Sequence, residues 1–306
     1  MYFWAKYQAV KLAKGDNYFK DHAIAINVCK VNRMKNISHQ NDLTEIEHHH
    51  DFIEIVFITK GKGVQVISNN EYEVSEGDIF ILQGFQNHYF KDAGKAEMIN
   101  VMFDPVKSPG LVSADMKTID GYSALFILEP QYRNRMHFKN MLHLNRVDLA
   151  KSEYVLNGML NEIAQKDPGY ELFLKIKLEE IILFLSRKYS QISIPKAKSL
   201  VRIGKAIHFI ETNFQNNIYI QELAELSFMS IRNFQRIFKE ATGLAPNDYL
   251  LELRIQHASK LLTETDSAVY DISGQVGIAD WFYFSKAFKK KFGVSPLKYR
   301  KQNKLV

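Results

Sequence analysis

The residues best suited to chemistry fall in two places. The first is His48-x-His50-xxx-Glu54, with His88 further along the chain. Histidines at i and i+2 share one face of an extended strand, and Glu54 returns to that face four residues later. Imidazoles and a carboxylate gathered in this way hold a divalent metal or line a polar pocket. The spacing leaves both readings open, beside a third in which some of these histidines are ordinary hydrogen-bonded strand residues. The second place is the basic and amide series Ile231, Arg232, Gln235, Arg236 and Lys239, echoed by Trp281, Phe282, Ser285, Lys286 and Lys289, with Lys290 and Lys291 beside them. Arg chelates guanine, Gln chelates adenine and Lys neutralises phosphate, so this chemistry suits double-stranded DNA. Two aromatics on the second series are poor hydrogen-bond readers and suit methyl contacts better.

The elements that must carry these groups differ in period. Up to about residue 105 the pattern is one of strands. Residues 52–59 are dense in β-branched and aromatic side chains, and Gly61 and Gly63 punctuate the chain just after them. Residues 64–68 alternate, Asn69-Asn70 and Gly77-Asp78 mark turns, and 79–82 and 98–103 are apolar runs. Short strands at spacings near ten residues predict a small antiparallel barrel or sandwich. From Leu144 the period becomes helical. Ser152, Val155, Leu156, Met159, Leu160 and Ile163 form one stripe. Asp167-Pro168-Gly169 breaks the chain, and Leu172, Ile176, Glu179, Ile182 and Leu185 form another. That predicts a helical hairpin over 144–190. Phe173, Ile181, Leu183 and Phe184 widen the second helix's apolar face, which points to dimerisation, with packing on the strands as the alternative. Residues 191–199, polar and containing Pro195, read as a linker between a sensing domain over 1–143 with its hairpin and a helical domain over 200–306.

Within 200–306 one unit occurs twice, about 50 residues apart. ELAELSFMSIRNFQRIFKEATGLAPNDYL superposes on DISGQVGIADWFYFSKAFKKKFGVSPLKY, so that Phe234 matches Phe284, Phe238 matches Phe288, Gly243 matches Gly293 and Pro246 matches Pro296. Each copy reads as a short helix, a tight turn and a second helix capped by Ser230 or Asp280, which is a helix-turn-helix. The i, i+4 phenylalanines are core. The charge distribution agrees with this division. The chain's 40 Lys+Arg and 34 Asp+Glu give +6 overall, yet residues 1–199 hold 25 basic and 24 acidic side chains, and 200–306 hold 15 and 10. A basic module on a nearly neutral one fits nucleic-acid binding.

Composition narrows the class. Of the 306 residues, 46% are hydrophobic and 24% charged, which excludes wholesale disorder, and the single Cys29 excludes an intramolecular disulfide framework. No apolar run reaches the roughly 18 residues of a membrane span, and Lys6 interrupts the apolar N-terminus, so neither membrane span nor signal peptide is read and a cytoplasmic protein is expected.

The C-terminal third resembles the DNA-binding domain of AraC/XylS transcriptional regulators. The resemblance is carried by Asp271-Ile272, Val276-Gly277-Ile278, Asp280, Tyr283-Phe284-Ser285-Lys286, Phe288-Lys289, Gly293, Ser295-Pro296 and Tyr299-Arg300. Phe282 stands where that family commonly has Ser or Asn, and Ile278 where it has Phe. The resemblance implies seven helices and two helix-turn-helix units. It also implies a cupin-like β-barrel ahead of them, so the fold class expected is a multidomain α+β chain. Residues 47–63, Gly77-Asp78-Ile79-Phe80 and His88 look closest to the rhamnose-regulon activators within that family. This implies a homodimeric activator that meets RNA polymerase and a monosaccharide effector held by His50, Glu54, Lys60, Gln65 and His88. Gln83, Phe85 and Asp92 depart from the metal-binding cupins, so the metal-free pocket leads and a metal on His48, His50, Glu54 and His88 is the alternative. A regulator sensing a fatty acid or bicarbonate stays open, as does a barrel that only mediates assembly. A metal-dependent cupin enzyme fits the His/Glu set, but not the duplicated helices.

Overall fold

The computed structural model describes residues 10–20, 22–32, 35, 37, 44–84, 86–136 and 142–303. The chain divides into two compact units, Met1–Ala197 and Lys198–Val306.

The first unit is a curled half-barrel of strands backed by helices. Its elements are β1 (Lys11–Ala13), α1 (Gly15–Phe19), β2 (Ile26–Asn32), β3 (His48–His50), β4 (Ile53–Ile67), β5 (Asn70–Ser75), β6 (Asp78–Gln83), β7 (His88–Asp92) and β8 (Ala96–Phe103). After a 3-10 turn come α2 (Asp120–Tyr122), a π-helical stretch (Ser123–Leu128), α3 (Glu129–Met136), β9 (Leu142–His143) and the hairpin α4 (Arg146–Gln165) and α5 (Tyr170–Ser190). β4 belongs to both walls. Its first half pairs with β6 and β8, and its second half with β5 and β7.

The bend that makes this sharing workable lies at Gly61. Of the two glycines that punctuate the sequence here, Gly61 bends the strand without ending it. Gly61 takes φ +79, the pairing with β8 slips between Ile58 and Lys60, and a Cβ on Gly61 would sit 1.7 Å from the Lys95 carbonyl oxygen. A bulge with glycine in the left-handed region keeps the ladder while redirecting it. Val56, Ile58, Tyr72, Val74, Phe80, Leu82, Phe90 and Met98 then close into one buried cluster.

The hairpin forms as its pattern predicts, with Asn145 capping α4 through its bond from the Asp148 N–H and Gly169 (φ +90) preceding α5. The packed face of α5 differs from the expected stripe. Leu174, Leu178, Ile181, Ile182, Leu185 and Tyr189 are buried, while Leu172 and Ile176 are 63% and 53% exposed. Gly121 explains how α2 reaches α5, since a Cβ there would lie 1.9 Å from the Ser186 carbonyl oxygen.

The second unit is helical, as expected: α6 (Pro195–Asn213), α7 (Ile220–Leu226), α8 (Ile231–Thr242), α9 (Pro246–Glu264), α10 (Val269–Gln275), α11 (Trp281–Phe292) and α12 (Pro296–Asn303). The linker expected over 191–199 is shorter, because α6 opens at Pro195 and only 191–194 are non-helical. Proline lacks an N–H that the first turn of a helix leaves unpaired anyway, so here it starts a helix. The duplication holds in three dimensions. Phe238 meets Tyr249 edge-on at 5.5 Å, and Phe288 meets Tyr299 edge-on at 5.3 Å. α8 and α11 both end in left-handed glycines, Gly243 and Gly293. In the turns, Gly277 takes φ +80 and its counterpart Phe228 takes φ +53. Among the described residues, no helix is long and apolar enough to cross a membrane.

Candidate functional site

The β4 bend gathers the polar residues of the first unit. Glu54 lies opposite Leu82 and Met102 across the ladders, His88 pairs with both His48 and Ile67, and Gln65 lies opposite Tyr72 and Phe90. These registers turn His48, His50, Glu54, Gln65 and His88 into one cavity, with Tyr18, Thr44, Asn100 and apolar Phe52, Val56, Leu82, Phe90, Met98 and Met102 as the rest of its lining. All five sequence-identified residues named here are buried. Lys60 is the exception. It is exposed on the far side of the bulge opposite Glu97, so its place in the effector set is corrected. Asp92 is also exposed, Gln83 donates from Nε2 to the Phe126 carbonyl oxygen, and Phe85 lies outside the described residues.

The hydrogen bonds fix how the histidines present themselves. Nδ1 of His48, His50 and His88 each faces a backbone carbonyl oxygen, those of Ile46, Phe52 and Gln86, at 2.7, 2.8 and 2.8 Å. A carbonyl only accepts, so each Nδ1 carries the proton and each Nε2 of a neutral ring is left with a lone pair. Nε2 of His50 and Nε2 of His88 then stand 3.3 and 3.5 Å from Glu54 Oε2. Burial pushes His50 down, and burial with the neighbouring His88 holds His48 down at about 4. Burial raises the Glu54 carboxyl; the opposing effect of His50 and His88, which takes the net direction down, operates only while those rings carry a proton on Nε2 as well as on Nδ1.

The result is an acceptor cluster. The ligand atoms of His50, Glu54 and His88 lie within 4.8 Å of one another, and His48 stands outside that group although its ring centroid is 4.2 Å from that of His88. Asn100 Nδ2 donates to Glu54 Oε1 at 2.7 Å. Among the described residues, His50 Nε2, His88 Nε2, both polar atoms of Gln65 and Asn100 Oδ1 have no hydrogen-bond partner. Imidazoles anchored through Nδ1 and a carboxylate oriented by an amide form the outer support a metal ion requires. The same orphaned atoms would equally receive hydroxyl groups. The cavity volume is about 30 Å³, close to one water's share of about 30 Å³ and far below the roughly 300–1,000 Å³ of small-molecule pockets. An ion fits directly, and a larger effector enters only as the lining moves.

Sequence reading missed Asn100. Its signal was a lone amide in the apolar run MINVMF, on the inward face two positions from Met102.

The helix-turn-helix residues lie on α8 and α11. Ile231, Arg232, Gln235, Arg236 and Lys239 are exposed on α8, while Phe234 and Phe238 are buried beneath them. Arg236 is held along its own helix, donating to Glu240 Oε1 at 2.6 Å and Asn233 Oδ1 at 2.9 Å. Trp281, Phe282, Lys286, Lys289 and Lys290 are exposed on α11, and Ser285 is half-buried. Two arginines of the unit serve structure instead. Arg254 donates to the Phe214 and Asn216 carbonyls and Arg300 to those of Leu262 and Ser267, so the positive charge is not all available to phosphate.

A helix-turn-helix domain family matches residues 223–302, and a family described as an AraC-like ligand binding domain matches residues 37–106. The HTH-type transcriptional activator RhaR of Shigella flexneri is 25% identical over 259 residues, covering 84% of this chain and 87% of that protein. RhaR of Shigella dysenteriae serotype 1 is 24% identical over 297 residues, covering 96% and 97%. Among solved structures, an AraC-type regulator from Chromobacterium violaceum is 28% identical, covering 35% of this chain and 96% of its own, with a TM-score of 0.33. The DNA-binding domain of AdpA with a target DNA is 27% identical, covering 33% and 91%, with a TM-score of 0.32.

The Asn100–Glu54 contact gives a direct test of the cavity's electrostatics. Asn100→Leu strands a buried carboxylate oxygen, and a hydrogen bond to a charged group contributes about 1.5–3 kcal/mol. Urea unfolding of the full chain is expected to show the first unit weakened by that order, and the loss should shrink on a Glu54→Gln background. An equal loss on both backgrounds would contradict a charged Glu54 held by Asn100.

Proposed function

We propose that the chain is an AraC-family DNA-binding transcriptional regulator with a ligand-binding domain, and that it acts as an effector-responsive activator of carbohydrate-utilisation genes. The observation that carries the effector reading is the set of buried, unpartnered polar atoms on His50, His88, Gln65 and Asn100 around Glu54. Convergent hydrogen-bonding groups in an apolar-walled barrel suit the hydroxyls of a monosaccharide, and the named activity of the RhaR relatives supports activation. Cytoplasmic promoter DNA is the target of α8 and α11, and RNA polymerase is the partner that an activator must engage.

A sugar cannot enter the cavity without displacing its wall, and that displacement supplies a route outward. Gln83 and Gln86, which flank the turn before His88, donate to the Phe126 and Pro130 carbonyls of the π-helical stretch and α3. α2, just ahead of that stretch, packs tightly on α5 at Ser186. Movement at His88 therefore pulls on the helices against α5. A ligand regulates only through a difference in affinity between two arrangements.

The partner at α5 is a second copy of the chain. Leu172 and Ile176 are exposed, and a groove of about 880 Å³ between α4 and α5 is lined by Val147, Tyr154, Leu183 and Phe184. Arg146, Lys151, Arg187 and Glu180 also line it, offering both signs of charge for a self-complementary two-fold contact. Sedimentation velocity should show dimers for the full chain and monomers for Ile176→Glu. Monomers in both would rule this surface out as a dimer contact.

A second reading of the pocket comes from the three facing acceptors, which a divalent cation would satisfy together. Melting of the full chain separates the two. A monosaccharide at a hundred times its Kd should stabilise the first unit by about 2.7 kcal/mol, with or without chelator. Zinc, manganese or nickel should do so only if the cation reading holds, and then not in His50→Ala. No shift with any sugar or metal would overturn both.

A further inference from the structure

The two recognition helices occupy equivalent places in the repeat but expose different chemistry. The 50-residue offset sets Ile231 against Trp281, Arg232 against Phe282, Gln235 against Ser285 and Arg236 against Lys286. On α8 the outward face is mainly polar, with Ile231 45% exposed at its start and exposed Arg232 and Gln235 able to chelate purines. On α11 the corresponding position of the first turn holds Phe282, 70% exposed, with its ring centroid 4.3 Å from that of Trp281, which is 41% exposed. Packing does not account for these rings. Phe284 and Phe288 already fill the interior side of α11 and are fully buried. Leaving a large apolar side chain in water forgoes about 1.5–3 kcal/mol of burial, so an aromatic pair held outward implies an apolar contact elsewhere.

The surroundings identify that contact. Asp280 Oδ1 accepts from the Phe282 and Tyr283 N–H groups, which fixes the backbone of the first turn that carries both rings. Behind them on the same helix, Lys286, Lys289 and Lys290 are exposed, while Lys291 turns back to Glu252 at 3.1 Å. An apolar tip followed by free cations fits a helix whose start meets the floor of the major groove and whose later turns meet phosphates. The apolar feature of that floor is the thymine C5 methyl.

We infer that Trp281 and Phe282 are specificity-determining residues, and that α11 selects thymine through its methyl groups while α8 selects purines through Arg232 and Gln235. The inference rests on the assignment of α8 and α11 as DNA-reading helices. Under it, one operator carries two chemically unlike segments, one read by hydrogen bonds and one by apolar contact.

The test removes methyl groups alone. Duplexes selected from a random pool by the full-length protein are remade with each thymine replaced in turn by deoxyuridine. In one of the operator's two segments, each replacement should weaken binding about fourfold, the equivalent of about 0.8 kcal/mol for one buried methyl. Phe282→Ala should bind more weakly and lose the distinction between thymine and deoxyuridine, whereas Arg232→Ala should bind more weakly and keep it. Equal affinity for every deoxyuridine duplex would overturn thymine readout while leaving DNA binding intact. So would a Phe282→Ala variant with unchanged affinity, which would assign the aromatic tip to a protein partner. If no duplex is selected at all, the DNA-reading assignment itself fails.

Discussion

The close approach of backbone at Gly61 governs the first unit. A side chain there would occupy the Lys95 carbonyl oxygen, and only glycine takes φ +79 without strain. With the bulge, one fifteen-residue strand serves two walls of the half-barrel. Without it, Glu54 on the first half of β4 and Gln65 on the second would face separate surfaces. The pocket is thus a consequence of strand curvature, and its small volume reflects how tightly the two walls close on Val56, Leu82, Phe90 and Met98.

Inside that enclosure the dominant cost is electrostatic. Burying a carboxylate costs several kcal/mol unless it is paired and hydrogen-bonded. Glu54 receives one amide hydrogen bond, from Asn100, and otherwise faces imidazole nitrogens whose protons are committed to backbone carbonyls. Such a group is stable only in company that donates to it or neutralises it. An occupant that supplied hydroxyl protons or positive charge would relieve that cost. Gln83 and Gln86 tie the strands beside His88 to the helices behind them.

Much of this was legible in the sequence, for reasons that differ by element. The helices of the second unit announce themselves through caps, glycine stops and i, i+4 phenylalanines, and the duplication doubles every signal. The boundaries of α7, α8, α10 and α11 were therefore readable. Pro195 was misread because proline punctuates a chain in two opposite ways, and only the helix after it tells them apart. Gly61 posed the same ambiguity between ending a strand and bending it. Lys60 sits beside that bulge, where simple alternation stops predicting which wall a residue faces. Asn100 was hidden because its meaning depends on Glu54, 46 residues away. Leu172 and Ile176 matched a helical period that the packed face of α5 does not follow, since burial is set by the neighbours of α5 and not by its own sequence.

In the second unit the common scaffold and the unlike tips separate two tasks. Phe234, Phe238, Phe284 and Phe288 with Tyr249 and Tyr299 build both copies alike, and Arg254 and Arg300 fasten loops to them. What the tips contact is free to diverge. In the function proposed for the chain, both copies engage DNA together. Hydroxyl-radical footprinting on a selected duplex tests it most directly. Each bound chain should protect two segments on one face of the helix, separated by about one helical turn of 10–10.5 base pairs. A single protected segment per chain would contradict it.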